Sequence, residues 1–286
     1  MARAPHQRWT SAADRIALQV LRPTCRRQNR PQFQVAMTVS PIVSVVTPTY
    51  NAVSTIRRCC ESVASQDYAP VEHLVVDGAS TDGTLEILRE YHLRHESAPD
   101  AGIYDALSKG VRMARGEFVH ILCADDRYTH RSVLSSVIAA MTEHEWDICH
   151  ARAAHVAASD RVVNVIGRNL DKRRLLKKMW VAQPTVVVRR AVYERYGAFS
   201  VGFRIAADYE FLLRIWDHVR VGYLDEIFVN MAIGGLSTRP EHLVRSYRES
   251  MAAAVIHGAH PARATIRCWY EIAKHRLFFA RRYRQT

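Results

Sequence analysis

Hydrophobic residues between positions 42 and 145 fall into short continuous runs that alternate with segments of helical spacing. Runs rich in β-branched residues predict three buried strands, and apolar residues three and four positions apart predict helices between them. Alternation at this scale is typical of a parallel sheet covered by helices. The predicted strands are Ile42–Thr47, Val71–Val76 and Glu117–Leu122, and the predicted helices are Ile56–Ala64, Thr84–His92, Ile103–Ala114 and Ser132–Met141.

The pattern becomes less regular after about residue 145. We expect such a half to receive a second substrate, beside the ligand held by the regular half. Its predicted strands are Ile148–His155, Val162–Ile166 and Thr185–Arg189, and its predicted helices are Asp171–Met179, Ala191–Tyr196, Ala207–Asp217, 241–257 and 263–284.

Composition and charge narrow the class of protein. The chain has 286 residues, of which 48% are apolar and 24% charged, as in ordinary globular proteins. No apolar run approaches the roughly 18–20 residues needed to cross a bilayer. Of the net charge of +12, residues 1–40 and 263–286 each contribute +6, so the stretch between them is neutral. This neutral body argues against a nucleic-acid-binding module, whereas the basic ends either contact an anionic surface or are simply solvated.

The ends and the cysteines give one further expectation, about location. The six cysteines form no Cys-x-x-Cys pair and no secretion signal precedes them, which predicts reduced thiols in a cytoplasmic protein. Residues 1–36 are expected to be a flexible extension, or to precede a true start at Met37.

Polar residues follow the three predicted strands directly. Thr49–Asn51, Asp77 and the pair Asp125–Asp126 should meet in one crevice, because open α/β sheets bind ligands at the carboxyl ends of strands. Asp77 can accept hydrogen bonds from a base or ribose, or it can cap the turn at Gly83–Thr84.

Two adjacent acids after an apolar strand are costly unless a cation compensates their charge. Asp125 and Asp126 therefore indicate a divalent ion shared with substrate phosphates. The alternative is that Asp126 or Thr129 caps the following helix. The chain has no Gly-x-Gly-x-x-Gly after its first strand and no P-loop, which disfavours dinucleotide dehydrogenases and P-loop NTPases.

Asp208 begins an amphipathic helix, where the helix dipole stabilises its charged form and suits it to act as a base. It can equally be an ordinary helix cap. Glu210 lies two residues further and points in a different direction, so at most one of the two acids is expected to enter the crevice.

Six motifs occur in a fixed order and together carry a family pattern. The chain resembles the family 2 glycosyltransferases, inverting enzymes of the GT-A fold, over about residues 40–240. The run from Asp100 to Asp105 is similar to a subgroup that builds bacterial surface polysaccharides and glycolipids. The motifs are VSVVTPTYNA (43–52), LVVDGASTDGT (74–84), SAPDAGIYDALSKGVRMARGEFVHILCADD (97–126), QPTVVVRRAVYERYGAF (183–199), AADYEFLLR (206–214) and GGLS (234–237).

The resemblance implies an α/β fold with a Rossmann-like, mostly parallel central sheet flanked by helices, and a C-terminal helical extension. The implied domains are a basic extension (1–40), a GT-A domain (41–240) with a nucleotide-sugar half (41–145) and an acceptor half (146–240), and a basic, aromatic helical segment (241–286).

The resemblance also implies roles for individual residues. Four positions depart from the family pattern, since Ala124 and Ala207 stand where acids are usual, Ser108 where asparagine is usual and Gln183 where histidine is frequent. By resemblance, Pro48, Thr49, Tyr50 and Asn51 line the nucleotide pocket, Asp77 holds the base, Asp100 and Lys109 lie beside the nucleotide sugar, Asp125 contacts ribose or sugar, Asp126 binds Mg²⁺ or Mn²⁺, Asp208 is the general base, and Gln183, Glu210, Gly234 and Gly235 are weaker acceptor-side candidates.

The implied function is inverting transfer of a sugar from a nucleotide-diphosphate donor to a glycan or lipid-linked acceptor in cell-envelope biosynthesis. UDP is the expected nucleotide, with dTDP and GDP open. The alternatives are a sugar nucleotidyltransferase, which should carry a Gly-rich phosphate loop, and a catalytically inactive nucleotide-sugar-binding protein. Aromatic and basic residues interleave over 263–284, so this segment either lies on the inner face of the plasma membrane or packs on the catalytic domain.

Overall fold

The structure is a computed structural model that describes residues 43–234 and 241–282, with side chains as far as residue 276. The extension 1–40, Met37 and Gly235 lie outside the described residues. The strands are β1 Val43–Thr49, β2 Val71–Asp77, β3 Arg94–Ser97, β4 Phe118–Ile121, β5 Arg127–Tyr128, β6 Ile148–Val156, β7 Val162–Ile166, β8 Val187–Arg189 and β9 Val221–Ala232. The helices are α1 Ile56–Ala64, α2 Thr84–Glu90, α3 Ile103–Met113, α4 Val133–Glu143, α5 Lys172–Leu175, α6 Arg190–Tyr196, α7 Ala207–Ile215, α8 Leu243–Ile256 and α9 Pro261–Arg282.

The strands form one sheet in the order β3-β2-β1-β4-β8-β6-β9-β5, with β7 paired to β6. The first four are parallel, as predicted. The second half is mixed rather than mostly parallel, since β8 pairs antiparallel with both β4 and β6. The short link from β6 to β7 also permits only an antiparallel pair, because a parallel pair needs a long crossover.

Strand β1 is longer than predicted and continues through Pro48 to Thr49. The pairing of β1 with β4 ends at Val46, whose O accepts a last hydrogen bond from Leu122 N. The backbone N of Pro48, two residues further along β1, points to this same side, where β4 no longer continues. The missing N–H of Pro48 therefore leaves no ladder partner unpaired. The opposite side stays paired, because Thr49 O accepts from Gly78 N.

The sequence patterns missed three strands and placed one helix end and one strand start wrongly. Strand β3 is exposed at every residue and β5 has two residues, so neither shows an apolar pattern. Strand β9 carries the exposed acids Asp225 and Glu226 at its centre, which break its alternation. The predicted helix Asp171–Met179 is the single turn α5, and Gln183–Thr185, at the start of a predicted strand, is a 3₁₀ turn.

Helix α3 lies unusually close to the parallel half of the sheet. A Cβ atom on Gly110 would stand 2.2 Å from Val46 Cγ1 and 3.3 Å from Val76 Cγ2. Glycine is therefore required for this approach, which fixes the height of α3 above β1 and β2. Because Tyr104 stands in the first turn of α3, this packing also sets the position of its hydroxyl.

Helices α8 and α9 cover the second half of the molecule. Glu249 of α8 accepts hydrogen bonds from the backbone N–H groups of Arg204, Ile205 and Ala206, at 3.0, 2.7 and 3.2 Å, just before α7. In α9, Cys268 and Ile272 are buried, whereas Trp269 and Tyr270 are more than half exposed. No helix among the described residues is long and apolar enough to cross a membrane.

We predict that Gly110→Ala destabilises the protein by about 1–3 kcal/mol, because the added methyl group must displace Val46 or lift α3. Helix propensity alone would make the alanine variant more stable by about 1 kcal/mol, so the expected loss of stability has the opposite sign. Urea unfolding measures the change. Gly202→Ala is the control, since its nearest neighbour would be Ser200 Oγ at 3.9 Å. Equal stability of the two variants would contradict the close packing of α3.

Candidate active site

The loops after β1 and β2 are joined by side-chain to backbone hydrogen bonds. Asn51 N donates to Ser80 Oγ at 2.8 Å, and Thr81 N donates to Asn51 Oδ1 at 3.0 Å. Asn51 adopts a φ of 47°, in the left-handed region that asparagine tolerates. Thr49 is buried beside this link, and its Oγ1 has no hydrogen-bond partner among the described residues. Tyr50 is 67% exposed. The loop thus presents an unsatisfied hydroxyl and an aromatic ring at the sheet edge.

Asp77 ends β2 and is 1% exposed. Its carboxylate accepts hydrogen bonds from Ser80 N at 2.9 Å, Ser80 Oγ at 2.5 Å and Ser97 Oγ at 2.6 Å. The alternative that Asp77 caps the turn at Gly83–Thr84 is wrong. Asp82 does this instead, because its Oδ1 accepts from Thr84 N and Oγ1 at 3.0 and 2.6 Å. Asp77 is consequently held by two serines at the strand end.

Asp100 approaches the same strand end over Gly78. A Cβ atom on Gly78 would lie 2.9 Å from Asp100 Oδ2 and 3.3 Å from Tyr50 Cδ2, so the glycine leaves room for both side chains. Lys109 forms an ion pair with Asp105 on α3 at 3.1 Å. Among the described residues no contact joins Lys109 to Asp100, so the structure does not unite these two candidates.

Asp125 and Asp126 follow β4 with different exposure. Asp126 is buried and Asp125 is exposed, and their carboxylate oxygens lie within 4.8 Å of each other and of Cys123 Sγ. Burial, followed by the charge of Asp125, holds the pKa of Asp126 well above its usual value. A buried carboxylate without a counter-charge fits a divalent cation, which prefers oxygen ligands.

Neither candidate cap of the helix after β4 has that role. Asp126 Oδ1 accepts from Ala232 N of β9 at 3.3 Å, and Thr129 Oγ1 donates to Ile227 O at 2.6 Å. Helix α4 begins at Val133 after Ser132, with no side-chain cap. The capping alternative is therefore wrong, and both side chains bind β9, the strand that sequence patterning missed.

Asp208 lies in the first turn of α7 and is joined to α3. Tyr104 donates its hydroxyl to Asp208 Oδ1 at 2.9 Å and to Ile205 O at 2.7 Å, and Tyr209 N also donates to Asp208 Oδ1, at 2.8 Å. Among the described residues these bonds leave Asp208 Oδ2 without a donor. Burial raises the pKa of Asp208, opposed by the Tyr104 hydrogen bond.

Two cavities border Asp208. The larger, of about 580 Å³, is also lined by Ala232 and Gly234, and the smaller, of about 10 Å³, by Gln183. Ala232 connects the acids, because its N–H binds Asp126 while the residue lines the cavity beside Asp208.

Electrostatics gives a second link between these acids. After burial, the charges of Asp126, Asp125 and, more weakly, Asp208 raise the pKa of Cys123. Of these three acids, Asp125 and Asp126 have carboxylate oxygens within 4.8 Å of this thiol, just after the end of β4.

Among the described acceptor-side candidates, Glu210 lines neither of these cavities. It binds Arg214 at 3.1 Å and His257 at 3.0 Å, and so joins α7 to the residue after α8. Sequence reasoning also missed Tyr104 and Ala232, although Tyr104 falls within the Asp100–Asp105 run.

Comparison with known proteins decides the family. A model described as "Glycosyl transferase family 2" matches residues 44–197, more than half of the chain. The chain belongs to glycosyltransferase family 2. A "PGL/p-HBAD biosynthesis glycosyltransferase" from Mycobacterium tuberculosis is 30% identical to this family 2 glycosyltransferase over 187 residues, covering 63% of the chain and 71% of the relative. The family assignment decides against the sugar nucleotidyltransferase alternative.

Solved structures confirm the GT-A fold of this family 2 glycosyltransferase. S. aureus TarS 1-349 in complex with UDP-GlcNAc superposes with a TM-score of 0.61 at 22% identity, covering 78% of this chain and 69% of that one. A mannosyltransferase from Pyrobaculum calidifontis in complex with GDP-Man and Mn²⁺ gives a TM-score of 0.57 at 21% identity, covering 82% and 81%.

We predict that Asp126→Asn stabilises the metal-free protein at neutral pH by at least about 1 kcal/mol. The raised pKa of Asp126 means that wild-type stability falls as pH rises from the usual aspartate value through the raised one. Asparagine removes that penalty. Thermal unfolding with EDTA and with Mn²⁺ tests this, because Mn²⁺ should stabilise the wild type and leave Asp126→Asn unchanged.

Asp217→Asn is the matched control, because Asp217 is exposed and pairs with Lys172 beyond the end of α7. It should keep the Mn²⁺ response. An Asp126→Asn protein that retained this response, or that was less stable in EDTA, would contradict the cation site.

Proposed function

We propose that this family 2 glycosyltransferase transfers a sugar from a nucleotide-diphosphate donor to an acceptor hydroxyl with inversion at the anomeric carbon. The observation that carries the proposal is the placement of Asp208. Asp208 lines a cavity of about 580 Å³, and Ala232, which also lines it, donates its N–H to Asp126 at the strand ends. A base and a donor site that border one space suit direct displacement.

The strand-end loops supply the donor site in this proposal. Thr49 Oγ1 is buried and unsatisfied among the described residues, so a bound nucleotide would provide its missing partner. Asp77 and Asp100 meet at Gly78, where they can hold base and sugar hydroxyls. The TarS and mannosyltransferase structures contain UDP-GlcNAc and GDP-Man. These names support a nucleotide-sugar donor, and we expect a UDP-sugar before a dTDP- or GDP-sugar.

Asp126, with Asp125 beside it, would hold Mg²⁺ or Mn²⁺. Its buried carboxylate and the neighbouring oxygen within 4.8 Å suit such an ion. When bound, the ion supplies positive charge for the leaving diphosphate. The Mn²⁺ named with the Pyrobaculum mannosyltransferase supports this assignment.

Asp208 removes the proton from the acceptor hydroxyl in this mechanism. Tyr104 fixes Oδ1, so Oδ2 is the oxygen left to receive the proton. The hydroxyl oxygen forms its new bond to the anomeric carbon as the bond to the diphosphate breaks on the opposite face. Because burial raises the pKa of Asp208, the carboxylate is a stronger base than an exposed aspartate.

The acceptor is, in this proposal, a glycan or lipid-linked molecule of cell-envelope biosynthesis. The name of the mycobacterial relative, which places it in PGL/p-HBAD biosynthesis, supports this class. Exposed Trp269 and Tyr270, with the basic residues of α9, support contact with an anionic membrane on its cytoplasmic face.

We predict that Asp208→Asn lowers the rate of sugar transfer by roughly 10²–10⁴-fold, because the amide keeps the shape but cannot take the proton. The assay uses the nucleotide sugar that most stabilises the protein with Mn²⁺ in a thermal-shift screen. Donor binding should be unchanged. Asp217→Asn is the control and should transfer at the wild-type rate. Wild-type turnover by Asp208→Asn would reject Asp208 as the base, and absence of transfer by the wild type would favour an inactive binding protein.

We predict that Tyr104→Phe moves the acidic limb of the kcat/KM–pH profile to higher pH. The Tyr104 hydrogen bond stabilises the charged form of Asp208 and so lowers its pKa. Without that bond the pKa rises further, and the base stays protonated up to a higher pH. Tyr91→Phe serves as the control, because Tyr91 follows the end of α2 and its hydroxyl binds Glu61 rather than a residue of the candidate site. An acidic limb that stayed in place would contradict the coupling.

A further inference from the structure

The cavity of about 580 Å³ beside Asp208 is lined largely by apolar side chains. Helices α8 and α9 form one side, and the end of β9 with residues 177–179 forms the other. The volume lies within the range of sites that bind small organic molecules. The apolar side chains that line it include Met179, Ile205, Met231, Leu243, Met251 and Ala254.

Two of the charged side chains that line this cavity pair with each other, since Lys178 lies 3.4 Å from Glu271, and Arg267 Nη1 donates to the backbone O of Lys177 at 2.7 Å. A phosphate group at Lys178 would compete with Glu271, which repels it. An unmodified glycan would leave hydroxyls against apolar walls, which costs free energy when they lack partners. The cavity therefore favours an uncharged apolar group.

The position of Asp208 indicates how a molecule bound in the cavity would be oriented. Asp208 is one of the residues that line the cavity, and Tyr104 and Tyr209 N both donate to its Oδ1. A molecule with its apolar part between α8, α9 and β9 would place a polar end at this carboxylate. Met179, Met231 and Met251 are flexible and polarisable side chains that adapt to an alkyl chain or an aromatic ring.

We propose that the acceptor carries an alkyl or aryl aglycone and that this cavity binds the aglycone, with the reacting hydroxyl at Asp208. This inference rests on the proposed function, whose acceptor it specifies. Burial of several methylene groups in the cavity should favour an octyl over a methyl glycoside by at least about tenfold in Kd.

The test is isothermal titration of the full-length protein, first with UDP and Mn²⁺ and then, at saturation, with octyl, phenyl and methyl β-D-glucosides below micellar concentrations. We expect octyl or phenyl glucoside to bind at least about tenfold more tightly than methyl glucoside. A preference for octyl identifies an alkyl aglycone, and a preference for phenyl identifies an aryl aglycone.

Three variants locate the binding. Met251→Trp fills the cavity and should remove the preference, whereas Ile256→Trp, on the same helix at a residue that is 66% exposed, should keep it. Met251→Ala keeps the test decisive if the tryptophan variant does not fold. It should weaken the binding of octyl glucoside several-fold, because the contacts of the methionine side chain are lost.

Equal affinities for the three glucosides, or equal effects of Met251→Trp and Ile256→Trp, would overturn the inference and indicate adventitious binding of a detergent. Failure of the proposed function gives a different result. In that case UDP with Mn²⁺ does not bind, whatever the glucosides do. Binding of UDP without any glucoside preference would reject the apolar aglycone alone.

Discussion

The burial of carboxylates at the carboxyl ends of the strands is the constraint on which this site depends. A buried carboxylate loses hydration and needs either donors or a cation. The protein treats its acids differently. Asp77 receives three hydrogen bonds from Ser80 and Ser97, whereas Asp126 receives one long bond from Ala232 N and has Asp125 beside it. The first is satisfied within the protein, and the second is left in need of positive charge, which is the electrostatic condition of a cation site.

The rest of the fold positions Asp208 relative to these acids. Gly110 lets α3 lie close to β1 and β2, and Tyr104 at the start of that helix reaches across to Ile205 O and Asp208. The hydroxyl thereby adds a polar connection between α3, which covers the parallel half of the sheet, and α7. Glu249 holds the backbone before α7 from the other side, through three N–H groups. The carboxylate is therefore positioned by both halves of the chain.

Sequence patterns predicted the elements whose burial is regular and missed those whose burial is not. Strand β1 is buried at every residue and β2 is buried from Leu74 onwards, so both carry apolar runs, but β9 has Asp225 and Glu226 at its exposed centre and so lost its signal. Motif order identified the acids at the strand ends. It could not separate Asp77 from Asp82 as the turn cap, nor find Tyr104, whose partner Asp208 is 104 residues away. Such contacts depend on tertiary structure, which local spacing does not encode.

The two neighbouring environments explain how one cleft can serve two reaction partners. The strand ends are polar and suit a charged donor, while the cavity at α8 and α9 is largely apolar. Asp208 stands at their boundary, with Oδ1 held by Tyr104. Displacing water from the apolar side lowers the local dielectric constant, which raises the pKa of this carboxylate and increases its basicity. In the proposed mechanism, filling the cavity would therefore strengthen the base only when an acceptor hydroxyl is next to it, and this coupling would also limit transfer of the sugar to water.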